Sequence, residues 1–231
     1  MTETAPLITI NRFEPGLNRY GTVGLTIPGI DVRINEPNEE QEGEILVKGP
    51  NVMQGYFKKP ALTQEAFTED GWFRTGDIGK FVDERFLKIT DRKKDIFKTS
   101  AGKYIAPLPL QNHFAKSEFI QRCLIIGFQR PFVTALIVPH YTILEAWCAE
   151  EGIHWTSPQF MVHNIKVRAK FQAEIDRLNE ELPNFQRVRN FILCQEEWTI
   201  ERGEITNTLK PVRHLLVEHN KGEIEKMYGG N

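Results

Sequence analysis

Between about residues 12 and 89 the apolar positions come in short runs broken by glycine, proline and polar clusters, the pattern of strands joined by turns. Gly24-Leu-Thr-Ile27, Val32-Arg-Ile34 and Gly43-Glu-Ile-Leu-Val-Lys-Gly49 are predicted strands, and residues 35–42 form a polar loop between the last two. A helical turn over residues 63–67 and a strand over 81–89 complete a small β-rich, barrel-like unit. After the charged run Asp91-Arg-Lys-Lys-Asp95 the periodicity changes, which places a boundary there and divides the chain into residues 1–92 and 93–231. Cys123-Leu-Ile-Ile-Gly127 and Thr134-Ala-Leu-Ile-Val138 read as a buried hairpin through Gln129-Arg-Pro131, and Asn190-Phe-Ile-Leu-Cys194 as a third strand. Val167, Phe171, Ile175, Leu178 and Leu182 keep helical spacing up to Pro183. Residues 211–228 are predicted as a terminal helix with Pro211 in its first turn and Asn220 and Gly222 weakening its middle. The fold class is therefore α+β, with a β-rich subdomain followed by a domain that has a small central sheet and flanking helices.

Composition narrows the function classes. With 40% hydrophobic and 26% charged residues the chain has the make-up of an ordinary globular protein. A net charge of -2 argues against a nucleic-acid partner, because phosphate backbones select clustered Lys and Arg. Cys123, Cys148 and Cys194 lack a zinc spacing and read as buried thiols in a reducing compartment, hence the cytoplasm. No apolar run approaches the ~18 residues of a membrane span, so no transmembrane segment is predicted and membrane contact would be peripheral. The phosphate-binding GxxxxGK[ST] pattern, GxGxxG, HExxH and GxSxG are missing, and the six histidines are not spaced to share a metal.

Three segments could carry chemistry. Gly71-Trp-Phe-Arg-Thr-Gly-Asp77 combines glycines, which admit close backbone approach, with a carboxylate able to accept both hydroxyl protons of a ribose. Taken alone, it reads more simply as a structural turn. Lys98-Thr-Ser-Ala-Gly-Lys103 is a polar turn, and Arg202-Gly-Glu-Ile-Thr-Asn-Thr-Leu-Lys210 ends in a lysine suited to a phosphate or carboxylate.

In order along the chain these segments resemble the AMP-forming adenylate superfamily of acyl-CoA synthetases, luciferases and peptide-synthetase adenylation domains. Met1-Thr-Glu-Thr-Ala-Pro6 is similar to the tail of the family's aromatic-Gly-x-Thr-Glu motif, and Gly43 to Gly49 with Gly55-Tyr56 and Pro60 to the stretch that follows it. Gly71 to Asp77 resembles Tyr-Arg-Thr-Gly-Asp with Phe73 in place of tyrosine. Phe86-Leu-Lys-Ile-Thr-Asp-Arg-Lys-Lys-Asp95 is similar to the hinge motif, with Asp91 where many members carry glycine. Leu182-Pro-Asn-Phe185 and residues 203–210 resemble the last two motifs. Gly102-Lys-Tyr-Ile-Ala-Pro107 and Ile205-Thr-Asn-Thr-Leu-Lys210 are most similar to long-chain fatty acid CoA ligases.

That resemblance implies an acid-thiol ligase whose substrates are a fatty acid, ATP and CoA, with Mg²⁺ as cofactor and AMP as product. By position in the motifs, Glu3 would hold Mg²⁺ and Thr2 would contact the α-phosphate. Asp77 would bind the ribose with help from Arg92, and Lys210 would be the catalytic lysine of adenylation. Lys94 would be the hinge of a C-terminal lid over residues 93–231, and Ser100, Ala101 and Gly102 would line the CoA channel. Residues 1–92 would then be the end of the large adenylate-binding domain, and the chain a C-terminal fragment that is inactive alone. The rival expectations are an adenylation domain of another acyl, aryl or peptide-synthetase type, and a non-catalytic interaction module built from the lid fold.

Overall fold

A computed structural model describes residues 1–229 and shows two units, Met1–Ile96 and Phe97–Asn231. In the first, β1 (Thr9–Ile10), β2 (Gly24–Thr26), β3 (Asp31–Asn35), β4 (Gly43–Lys48), β5 (Phe73–Val82) and β6 (Phe86–Arg92) form one curled sheet in the order β1-β2-β6-β5-β4-β3. Every neighbouring pair is antiparallel. Alternation along the strands puts Ile45, Val47 and Leu87 into a core with Ile30. At Gly79, beside a register shift in the β5–β6 ladder, a Cβ would lie 2.3 Å from the Lys88 carbonyl oxygen, so no larger residue fits there.

Three expectations for this unit change. The predicted strand over 81–89 is a hairpin turning at Asp83 and Glu84, both left-handed with φ of 50° and 58°. Such primed turns usually announce themselves with Asn-Gly or Asp-Gly, and Asp-Glu hides the signal. The segment from Gly71 to Asp77 is mostly strand, not loop, since β5 begins at Phe73. The short helix α1 (Pro60–Ala66) starts earlier than residue 63, because proline at its first position pre-sets the helical φ.

The second unit opens with the two-stranded ladder of β7 (Phe97–Lys98) and β8 (Tyr104–Ile105), followed by α2 (Pro107–Phe114). Its main sheet runs β11-β10-β9, in which β9 (Ile120–Ile126) pairs antiparallel and β11 (Val188–Leu193) parallel to the central β10 (Val133–Pro139). All seven residues of β10 are buried. One face of the sheet, with Ile125, Ala135 and Ile137, packs against α2, α3 (Tyr141–Glu150), α4 (Pro158–Met161) and α5 (Ile165–Asn179). The opposite face, with Leu124, Leu136 and Val138, is covered by α6 (Arg213–His219) and α7 (Lys221–Met227) through Leu216 and Ile224.

The hairpin and the third strand stand where the sequence puts them, with β11 starting two residues earlier than Asn190. Asn164 caps α5 by accepting from the Lys166 and Val167 amides, and Val167, Phe171, Ile175 and Leu178 are its buried stripe. Contrary to expectation the helix stops at Asn179, short of Leu182 and Pro183. The Asn179 side chain turns to pair with the backbone of Val188, donating to its carbonyl at 2.8 Å and accepting from its amide at 2.9 Å. The terminal helix is two helices that meet at Asn220, and Pro211 lies before them in a β-bridge with Ile205. α2 and α3, which carry less regular apolar spacing, are additions to the predicted elements.

Candidate functional site

Residues of the first unit gather round the β5–β6 pair. Asp77 and Arg92 are register partners, which projects both side chains from one face and brings Arg92 Nε to 3.0 Å from Asp77 Oδ1. Gly76 takes a left-handed φ of 70° just before the carboxylate, a conformation that costs glycine little. Thr75 then fixes the segment: its hydroxyl accepts from the Asp77 amide at 3.1 Å and donates to the Ile45 carbonyl on β4 at 2.8 Å. Asp77 Oδ2 accepts no hydrogen bond among the described residues, so this oxygen of a partly buried side chain is left to accept a ligand's hydroxyl protons.

Thr2 and Glu3 share a single 3-10 turn, Thr2–Thr4, closed by a left-handed Ala5 whose amide donates to the Thr2 carbonyl. Thr2 is exposed. Glu3 is held twice, its carbonyl accepting from the Met53 amide at 2.8 Å and its Oε1 from the Tyr56 hydroxyl at 3.2 Å. Partial burial, then the Glu3 charge, raises the Tyr56 hydroxyl above its ordinary pKa. Among the described residues no cluster of three or more His, Cys, Asp or Glu could hold a metal ion. The lone carboxylate of Glu3 nevertheless suits Mg²⁺, a cation that keeps several waters and takes one or two carboxylates beside substrate phosphates.

Lys94 is exposed two residues beyond Arg92, in a turn closed by the Arg92 carbonyl, which accepts from the Asp95 amide at 2.9 Å and the Ile96 amide at 3.2 Å. Its neighbour Lys93 is tied down at both ends. The Lys93 amide donates to the Gly76 carbonyl at 2.9 Å, and its Nζ lies 3.0 Å from Glu44 Oε2.

In the second unit Ser100, Ala101 and Gly102 stand exposed at the tip of the β7–β8 connection. The base of that tip is firm. The Thr99 amide donates to the Lys103 carbonyl at 2.9 Å, and the Ser100 amide to the Arg130 carbonyl at 3.0 Å. Lys210 ends a closed turn in which the Thr206 amide donates to the Lys210 carbonyl at 2.9 Å and the Thr206 hydroxyl accepts from the Lys210 amide at 3.1 Å. The stem below is the Ile205–Pro211 bridge, anchored by a buried Glu204 that accepts from Arg202 Nε at 2.8 Å and the Thr199 amide at 3.1 Å. The Lys210 side chain is exposed.

Sequence reasoning singled out neither Glu44 nor Glu204, nor Tyr56 as the partner of Glu3. A glutamate directly before the apolar run Ile45-Leu46-Val47 was a usable signal, since charge inside a buried strand demands a partner. A cleft of about 550 Å³ near Cys194, Trp198, Arg202 and His219 contains none of the predicted site residues. Its arginine is already committed to Glu196 and Glu204.

Comparison with known proteins identifies the family. Residues 94–231 match the AMP-binding enzyme C-terminal domain, and residues 1–57 match the AMP-binding enzyme family. Human long-chain-fatty-acid CoA ligase 1 is 35% identical over 223 residues, covering 93% of this chain and 32% of that protein. Peroxisomal long chain acyl-CoA synthetase 6 of Arabidopsis thaliana is 35% identical over 241 residues, covering 99% of this chain and 34% of that protein. The chain thus spans about a third of the length of the relatives it matches. Among solved structures, the adenylation domain of a carboxylate reductase from Mycobacterium chelonae shares the fold with a TM-score of 0.73 at 21% identity, over 91% of this chain and 34% of that one. The corresponding domain from Segniliparus rugosus, in complex with AMP and a co-purified carboxylic acid, gives the same TM-score over 90% of this chain and 34% of its own. On the match over residues 94–231, the chain belongs to the AMP-binding enzyme family and carries that family's C-terminal domain.

Proposed function

We propose that this chain is the C-terminal portion of an ATP-dependent long-chain fatty acid:CoA ligase. The supporting observation is the Asp77–Arg92 pair, set in register with one carboxylate oxygen free, inside a chain 35% identical to such ligases over nearly its whole length. In the first half-reaction a fatty carboxylate oxygen attacks the α-phosphorus of ATP and pyrophosphate leaves. In the second the CoA sulfur attacks the acyl carbonyl, losing its proton, and AMP leaves.

Asp77 accepts the ribose hydroxyls while Arg92 orients its carboxylate, and Thr2 contacts the α-phosphate. Glu3, steadied by Tyr56, supplies one carboxylate to Mg²⁺, which when bound neutralises phosphate charge. Lys210 brings a compact ammonium to the charge that develops between the acyl carboxylate and the phosphate. The second unit then turns about Lys94, withdrawing Lys210 and bringing Ser100, Ala101 and Gly102 to the pantetheine channel. An adenylation domain of another type shares the fold, but the neighbours of that kind stand at 21% identity against 35% for the ligases.

The chain spans about a third of the length of its relatives and holds no Thr/Ser/Gly-rich loop for the β- and γ-phosphates, so alone it is expected to make neither acyl adenylate nor thioester. The test is to join it to the preceding two-thirds of a long-chain ligase and measure CoA-dependent AMP release with fatty acids of several lengths. Release with a long-chain acid supports the reading. No release with any acid, while the ligase's own C-terminal part is active in the same fusion, overturns it.

A further inference from the structure

Glu44 is 6% exposed, yet its Oε2 receives two cations, Arg74 Nη1 and Lys93 Nζ, each at 3.0 Å. One guanidinium is enough to neutralise one carboxylate, so the second cation needs a separate reason. It comes from the residue directly before Lys94, and that residue is also bound through its backbone to Gly76, beside Asp77. Glu44 sits where the β4–β5 ladder shifts register, with the neighbouring Ile45 carbonyl taken by Thr75. A single buried carboxylate thereby connects the strand that carries Asp77 with the end of the fixed chain.

We propose that Glu44 is a positioning residue that anchors Lys93 to the first unit, so that the torsional change of the hinge begins at Lys94 and Asp77 is undisturbed as the second unit turns. This rests on the ligase and hinge reading above. A hinge confined to one or two residues turns a packed body along one path. If Lys93 were loose, the rotation would spread backward into Arg92 and Gly76, and the incoming loop would miss its place. Misplacement by about 1 Å can cost on the order of 10²-fold in rate, so even a partial loss of definition is measurable.

The experiment uses the active fusion and the variants Lys93→Met, which removes only the ammonium, Lys93→Arg, which retains a cation for Glu44, and Glu44→Gln. Single-turnover adenylation, thioester turnover and the melting temperature are measured for each. Lys93→Met is expected to leave adenylation within about twofold and to lower thioester turnover about tenfold without a change in melting temperature, and Lys93→Arg is expected to recover most of that loss. Glu44→Gln, which also gives up the ion pair with Arg74, should act on the same step, and adding Lys93→Met to it should lower turnover no further, because the Lys93 contact is already gone. The proposal is overturned if Lys93→Met leaves turnover within twofold, if both half-reactions fall together with the melting temperature, or if arginine rescues nothing. A fusion that makes no thioester would defeat the ligase reading, and a silent Lys94→Pro the hinge. An active fusion, a damaging Lys94→Pro and a silent Lys93→Met would defeat the anchor alone.

Discussion

Replacing Lys94 by proline tests whether the backbone or the ammonium of this residue matters. The Arg92 carbonyl and the Asp95 amide close a turn, 2.9 Å apart, that places Lys93 and Lys94 at its two central positions. Proline at the second central position is disfavoured because its ring drives the preceding residue out of the helical region. Lys93 cannot yield freely, being bonded to Gly76 through its amide and to Glu44 through Nζ. The strain therefore falls on the two hydrogen bonds to the Arg92 carbonyl, at a net ~0.5–1.5 kcal/mol each, or ~1–3 kcal/mol in all. Since ~1.4 kcal/mol is a factor of ten, the balance between two hinge states shifts by roughly 5- to 150-fold. Lys94→Ala at this exposed position keeps the torsional freedom and stays within about 0.5 kcal/mol. In the active fusion, pyrophosphate exchange reports adenylation and thioester formation from supplied acyl adenylate reports the second step. Proline should impair one and spare the other, with adenylation expected to survive, and alanine should leave both near wild type. Proline that leaves both rates unchanged, or alanine as damaging as proline, would refute the torsional argument.

Three further outcomes are expected. Lys210→Ala should slow adenylation by ~10²-fold while sparing thioester formation from preformed acyl adenylate, and equal losses in both steps would reject its assignment. A segment covering residues 95–231 should melt cooperatively by itself, and Phe171→Ala, which empties a fully buried position in the core of the second unit, should cost that segment ~3–5 kcal/mol in denaturant unfolding. Burial pushes the Cys123 and Cys194 thiols up to about 12, and Cys148 is raised by the same cause. Thiolate being the reactive form, a disulfide reagent at pH 8 should label none of the three in the native chain and all three in denaturant; rapid native labelling would contradict the packing.

The parts of this structure legible in the sequence are those where one local rule governs. Helical spacing marked the buried stripe of α5, and unbroken apolar runs marked β9 and β10, because burial on both faces leaves no room for polar alternation. The parts that escaped depend on partners far along the chain. The end of α5 is set by a side chain that pairs with Val188, so the terminator written in the sequence, Pro183, is not the one that operates. Asp77 and Arg92 could be named from their motifs, but their apposition required the hairpin turn at Asp83-Glu84, whose composition conceals it. Glu44 escaped for a related reason: the cations that make a buried glutamate tolerable, Arg74 and Lys93, come from two other strand ends.

The order in which β9, β10 and β11 leave the ribosome sets a problem for the cell. β9 and β10 are adjacent in sequence and can close as a hairpin at once, but the other edge of β10 awaits β11, which begins only at Val188. At about 5–20 residues per second the intervening chain takes some seconds to synthesise. Over that interval Thr134-Ala-Leu-Ile-Val138, buried on both faces in the finished fold, presents an open hydrogen-bonding edge. It is the kind of β-prone, uncharged segment that pairs with copies of itself, with Arg130 before it and Pro139 at its end to discourage such pairing. Replacing Pro139 should lower the soluble yield before it lowers the stability of whatever folds, and nascent chains stalled between Pro139 and Val188 should be the ones that chaperones hold.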